Sequence, residues 1–135
     1  MLSREDFESY LFRLGADVEE VAEGMWLLRG PEAGAPVVVT YAPPVAILRL
    51  KVLDLPDDAD PARTGALYRR LLELNATDIV HGSYGIEGDT VILSDALELE
   101  TLDFPELRSS YESLLLAAST HLPGLAELRP VAHGS

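Results

Sequence analysis

The feature that most constrains this chain is a pair of β-forming runs separated by two prolines. Val37-Val38-Val39-Thr40-Tyr41 and Val45 to Leu53 flank Pro43-Pro44. Both runs are rich in β-branched residues, which suit a pleated surface, and consecutive prolines fix φ twice and force a turn. A parallel crossover needs about a dozen residues or more, so the two runs are expected to pair antiparallel. Upstream, Met25-Trp26-Leu27-Leu28 reads as a strand that is apolar on both sides. Gly30-Pro31-Glu32-Ala33-Gly34-Ala35-Pro36, a loop by composition, joins it to Val37. This connector is also too short for a crossover. An antiparallel meander follows, and a doubly wound α/β fold is disfavoured.

The third strand has two different faces. Ala46, Leu48, Leu50 and Val52 point one way and suit a helical layer. Val45, Ile47, Arg49 and Lys51 point the other way, apolar at first and then basic, as on a partly solvated sheet face. Asp54 to Asp60 holds four aspartates around Pro56. A calcium loop needs Gly at its sixth position and Glu at its twelfth, and neither falls in place counting from Asp54 or Asp58. The segment is read as a solvated linker whose Asp60 caps the next helix, with Pro61 in the first helical position.

Three helices are expected. The first starts at Ser3 as N-cap, with Glu5 and Asp6 in its first turn, and sets Phe7, Tyr10, Leu11 and Leu14 on one face before Gly15. The second runs from Pro61 to about Leu74. Ala66, Leu67, Leu71 and Leu74 form its stripe, widened by Tyr68 and Leu72, an arc broad enough for burial in two directions. The third begins near Asp103 and carries Leu107, Tyr111, Leu114, Leu115, Ala118 and Leu122, with Pro123-Gly124 placed to end or kink it. Between the second and third, Gly82-Ser83-Tyr84-Gly85 reads as the entry to a strand that runs into Ile86-Glu87, and a Gly88-Asp89 turn joins it to a second strand that ends at Leu93. The segment from Asp17 to Glu23 is polar and acidic and is assigned no element. Arg129 to Ser135 is expected to be a loose tail. The expected class is α+β, an antiparallel sheet flanked by helices in the order α-β-β-β-α-β-β-α, as one domain over residues 1–128.

Composition narrows the function. Twenty-three acidic residues against ten basic ones give a formal charge of −13. That field repels phosphate backbones and anionic lipid, which argues against direct nucleic-acid binding and would attract a basic protein partner. There is no cysteine, so a thiol nucleophile and a cysteine zinc site are excluded. No run approaches the roughly 20 apolar residues of a membrane span, and the first residues lack the apolar core of a signal peptide. A cytoplasmic protein is expected.

No catalytic constellation stands out. His81, His121 and His133 show no metal-ligand spacing. Gly82-Ser83-Tyr84-Gly85 is one residue short of a nucleophile elbow and enters a strand, not a helix. The expectation is a protein without catalytic residues, metal or cofactor.

With these residues read, the chain resembles the YbjN family and, more distantly, the chaperones of type III secretion systems. The resemblance rests on Leu71-Leu72-Glu73-Leu74-Asn75, Gly82-Ser83-Tyr84-Gly85, Gly88-Asp89, Val91-Ile92-Leu93 and Leu97-Glu98-Leu99-Glu100. It implies a small acidic homodimer that holds another protein, with a link to stress responses on the YbjN side. Carried over by position, it points to Leu67, Tyr68, Leu71 and Leu74 for dimerisation. For a client it points to Phe7, Leu11, Trp26, Leu28, Val45 and Ile47, with Trp26 and Ile47 expected on the outer face of the sheet. The alternative is a small-molecule sensor or regulator with a pocket enclosed by sheet and helices.

Overall fold

Each helix starts on a side chain that accepts a hydrogen bond from its own first turn. In the computed structural model, which describes residues 1–30, 34–56 and 60–130, Ser3 accepts from the Asp6 amide at 3.1 Å and opens α1 (Arg4–Phe12). Asp60 accepts from the Ala62 amide at 3.0 Å and opens α2 (Pro61–Thr77). Asp103 accepts from the Glu106 amide at 2.8 Å and opens α3 (Phe104–Leu128). These bonds satisfy donors that a helix start otherwise leaves free. Pro123 does not end α3; the helix runs on past it to Leu128. The expected loop residues 31–33, the linker residues 57–59 and the tail residues 131–135 lie outside the described residues.

The strands are β1 (Asp17–Ala22), β2 (Met25–Arg29), β3 (Val37–Ala42), β4 (Val45–Asp54), β5 (Ser83–Glu87) and β6 (Thr90–Glu98). They form one antiparallel sheet in the order β1-β2-β3-β4-β6-β5. The α+β class and the meander match expectation, with one addition. The acidic segment at Asp17 is a strand, so the element order is α-β-β-β-β-α-β-β-α. β1 has only β2 as a sheet neighbour, turning into it through Glu23 and Gly24, whose φ is +73°. Its one apolar inward position, Val18, faces Leu28, while Asp17, Glu19 and Glu20 are exposed. Charged residues on an end strand discourage uncontrolled pairing and hide the usual apolar alternation.

All three helices contribute to one core on one face of the sheet. Phe7 and Leu11 of α1, Leu67, Leu71 and Leu74 of α2, and Leu107, Tyr111 and Leu114 of α3 are buried with Trp26, Leu28, Val37, Val39, Ala46, Leu48 and Leu93. β4 alternates as expected up to Lys51. A bulge between Lys51 and Leu53 then shifts the register, so Leu53 is buried and Val52 only half-buried, the reverse of the simple alternation. The turn expected at Gly88-Asp89 joins β5 to β6, with Gly88 at φ +59°.

Candidate protein-docking surface

The alternation of the strands decides which residues a partner can reach. On β2, Trp26 and Leu28 point into the core and are 0% and 1% exposed. The Trp26 indole N–H donates to Glu8 at 2.9 Å, Arg4 lies over its ring, and its neighbours across the sheet are Val39 and then Leu48. Trp26 and Ile47 therefore lie on opposite faces, contrary to the sequence expectation. Phe7 and Leu11 are fully buried as well. These four residues hold the fold together and present nothing to a client. Their periodicity was equally consistent with core and with docking, and the helices of this chain itself cover them.

Val45 and Ile47 do lie on the uncovered face, half-buried beside their sheet neighbours. The register extends that face to residues that the sequence reading did not assign to it. Met25, Thr40, Ile47 and Ala96 form one row across the sheet, and Glu19, Leu27, Val38, Arg49 and Ser94 form the next. Arg49 pairs with Glu87 and Lys51 with Asp54, at 2.8 Å for the latter, so the positive spot on β4 is neutralised locally. Period-two counting along β2 and β3 was the signal for Leu27 and Val38, once Trp26 was placed inside.

On α2 the expected dimerisation residues divide. Leu67, Leu71 and Leu74 are buried at 0%, 4% and 1% and pack into the core. Tyr68 is exposed, and so is Leu72, at 68%. With Gly65 they form a separate outward stripe one turn apart. The broad arc is thus two arcs, one committed to the core and one left open.

The two ends of the sheet are unlike. At β5, Asn75 of α2 uses its side-chain amide as a strand would: Oδ1 accepts from the Tyr84 N–H at 2.7 Å, and Nδ2 donates to the Tyr84 carbonyl at 3.1 Å. Both edge groups of Tyr84 are thereby occupied. Successive residues of a strand turn their peptide groups to opposite sides, so Ile86 is the other edge-facing position of this short strand. At the opposite end, β1 is flanked by no further strand among the described residues, and its acidic side chains stand at the rim. Only Glu20 among them is in an ion pair, with Arg4.

Beneath β5 lies a polar link between three elements. The Tyr84 hydroxyl is 2.8 Å from Nδ1 of His121 on α3, and Nε2 of His121 is 3.5 Å from Asp78 at the end of α2. Burial pushes the Tyr84 phenol up to about 12, so it keeps its proton. A buried phenol that holds its proton is a poor nucleophile, and the contacts tie β5, α2 and α3 together. The cleft beside it, lined by Arg70, Leu74, Asp78, Thr120 and His121, measures about 230 Å³. A ligand pocket usually spans about 300–1,000 Å³ and encloses most of its ligand. A second cleft of about 500 Å³, between Leu55, Pro61, Tyr68 and Asp89, is a shallow surface groove. Among the described residues no group of three His, Asp or Glu side chains converges as a metal site. No helix among them is long and apolar enough to cross a membrane.

The CesT_Tir_1 family model matches residues 2–129. The chain belongs to this family. For CesT_Tir_1, a type III chaperone family, the three-helix, one-sheet arrangement described above is the fold also found in solved structures. One is the ExoU–SpcU heterodimeric complex from the type III secretion system of Pseudomonas aeruginosa, 14% identical, covering 85% of this chain and 93% of that one with a TM-score of 0.66. Another is the HopA1–SchA chaperone–effector complex, 13% identical, covering 91% and 98% with a TM-score of 0.62. A third is YbjN from E. coli, 13% identical, covering 96% of each chain with a TM-score of 0.62. At these identities the likeness is one of fold. No curated protein matches the chain.

Proposed function

We propose that residues 1–128 form one non-catalytic, chaperone-like domain that works in the cytoplasm as a homodimer and holds an extended segment of a client protein, in a stress response. The carrying observation is the asymmetry of the sheet. Asn75 occupies both edge groups of Tyr84 on β5, while among the described residues no strand covers the β1 edge, which has Asp17, Glu19, Glu20 and Glu23 around it. A client strand added to β1 would gain main-chain hydrogen bonds, and the acidic rim favours Lys or Arg at its alternate positions. Beyond the edge, the face around Met25, Leu27, Val38, Val45 and Ile47 offers apolar contact to the same segment. Membership of a type III chaperone family, and likeness of fold to a complex named as chaperone and effector, support a protein-holding role. For the dimer, the outward pair Tyr68 and Leu72 on α2 supplies the contact, in place of the buried leucines.

A small-molecule sensor has less support, because the described clefts are small or shallow. One fold neighbour, YbjN, is named as a candidate transcription regulator, but a net charge of −13 opposes direct contact with a phosphate backbone.

The test has two arms. Light scattering of the wild type should give twice the chain mass, and the Tyr68→Asp, Leu72→Asp double variant should give a folded monomer. A labelled peptide alternating lysine and valine should bind the wild type, protect β1 amides from hydrogen exchange, and be lost on Asp17→Lys with Glu19→Lys. A wild-type monomer sinks the dimer, and peptide binding indifferent to charge reversal on β1 sinks the client edge.

A further inference from the structure

The corner where α1 ends and α3 begins gathers a second kind of chemistry. Arg13, just past α1, places its guanidinium 3.9 Å from the centre of the Phe104 ring and 5.8 Å from that of Tyr10. Arg108, one turn along α3, lies 5.7 Å from the same Phe104 ring. Tyr10 and Phe104 meet edge to face at 5.9 Å. Phe12, beside Arg13, is 61% exposed although it belongs to α1. Two guanidinium groups thus share one aromatic ring, which Tyr10 meets at its edge.

Among the described residues neither arginine is in an ion pair, which sets them apart from Arg4, Arg49 and Lys51. Arg63 is also engaged, donating to the backbone carbonyls of Glu127 and Arg129 at the end of α3. The acidic groups on α3 near the corner are Asp103, Glu106 and Glu112. Asp103 is occupied at the helix cap, and the other two are exposed and pair with neither arginine. A guanidinium stacked on a ring keeps its N–H donors in its own plane, held in a limited set of orientations and free for a carboxylate. Arginine and aromatic side chains together are also the composition of energetically dominant interface spots.

We propose that Arg13 and Arg108, both over the ring of Phe104 beside Tyr10, form an anchor for a carboxylate side chain flanked by apolar residues on a partner protein segment. This deepens the client-holding reading, since it names the chemistry of one part of the segment held. The anchor has the opposite sign to the β1 rim. Asp17 follows Arg13 by four residues, so the two backbones are at most roughly 14 Å apart, within reach of one extended peptide. A segment with basic and acidic positions a few residues apart would then bind in one direction only. With screening over about 8 Å at physiological salt, the paired guanidinium groups act locally against the net negative charge.

The experiment uses a fluorescein-labelled peptide alternating glutamate and leucine, its glutamine analogue, and a phosphoserine analogue, followed by polarisation at about 0.05 and 0.3 M salt. The wild type should bind the glutamate peptide, weakly at the higher salt, and should bind the glutamine analogue at least about tenfold less tightly. Arg13→Gln with Arg108→Gln should weaken binding at least about tenfold, while Arg69→Gln, an exposed arginine of α2 away from this corner, should leave it unchanged. Circular dichroism checks that the variants fold. If the glutamine pair does not fold, Arg13→Lys with Arg108→Lys keeps the charge, loses the planar fork, and should still weaken binding. The proposal is overturned if the wild type ignores the glutamate peptide, if Arg69→Gln weakens it equally, or if the phosphoserine peptide alone is held. Because the lysine–valine peptide is measured separately, loss of binding at β1 with retention here would sink the basic client reading and keep this one.

Discussion

Asn75 and Tyr84 meet through two hydrogen bonds at 2.7 and 3.1 Å, and one side chain thereby does for β5 what a neighbouring strand would do. The contact ties the last turn of α2 to the sheet and blunts one edge at once. Stability and specificity of association rest here on the same residue.

Asn75→Ala should therefore cost about 1–3 kcal/mol, since it strands two partly buried backbone groups. It should also expose the β5 edge. Urea unfolding reads the first effect, and concentration-dependent light scattering reads the second; a variant with wild-type stability and wild-type mass would show that the contact does neither.

Leu27 and Leu28 are adjacent on β2 but face opposite sides, Leu28 at 1% exposure and Leu27 half-buried on the open face. Leu28→Ala should cost about 2–5 kcal/mol and Leu27→Ala less than about half as much. Equal losses in denaturant unfolding would mean that something covers the second face.

Gly82 precedes β5 at φ +89°, and a Cβ there would sit 2.6 Å from the Ser94 carbonyl oxygen and 2.9 Å from a methyl of Leu114. Gly82→Ala should destabilise the protein by about 2 kcal/mol or more, from the strained backbone and the collision with backbone oxygen. Gly34→Ala, at an open position, serves as the reference in the same thermal melts.

Tyr84 titrates at about 12 and Tyr111 above the ordinary phenol range, in both cases because burial disfavours the charged form. A phenol whose folded value exceeds its unfolded value of 10 contributes stability that is complete below pH 10 and is lost as pH rises toward about 12. Absorbance of tyrosinate should show late titration that loses the amplitude of one tyrosine in Tyr84→Phe and keeps that of Tyr111, and alkaline unfolding should fall in that window. A Tyr84→Phe titration curve whose late amplitude is undiminished would contradict the burial argument.

The sequence disclosed the fold through features that are local. Pro43-Pro44 set the antiparallel pairing, Ser3, Asp60 and Asp103 marked the helix starts, and Gly88-Asp89 marked the hairpin. β1 escaped because an end strand in contact with water needs few apolar residues; Val18 is its one apolar inward position, and acidic residues make up half of the strand. The docking residues were harder for a related reason. Phe7, Leu11, Trp26 and Leu28 have the spacing of a buried face, and spacing does not say whether the cover is this chain's own helix or a partner. Tyr68 and Leu72 differed from Leu67 and Leu71 by one position each, a rotation of about 100° on a helix that separates core from surface. Asn75 stood in the motif that carries the resemblance, but its edge contact gave no signal, because it depends on a strand nine residues away.

The unequal ends of the sheet also bear on how far association can go. Copies that add strand to strand in a continuing fibre need a receptive edge at each end, one to accept and one to offer. Here a side chain has taken both edge groups of Tyr84 at one of them. Pairing through the remaining edge stops once that edge is covered, so a protein that must expose sheet to catch a segment can do so without seeding its own polymerisation.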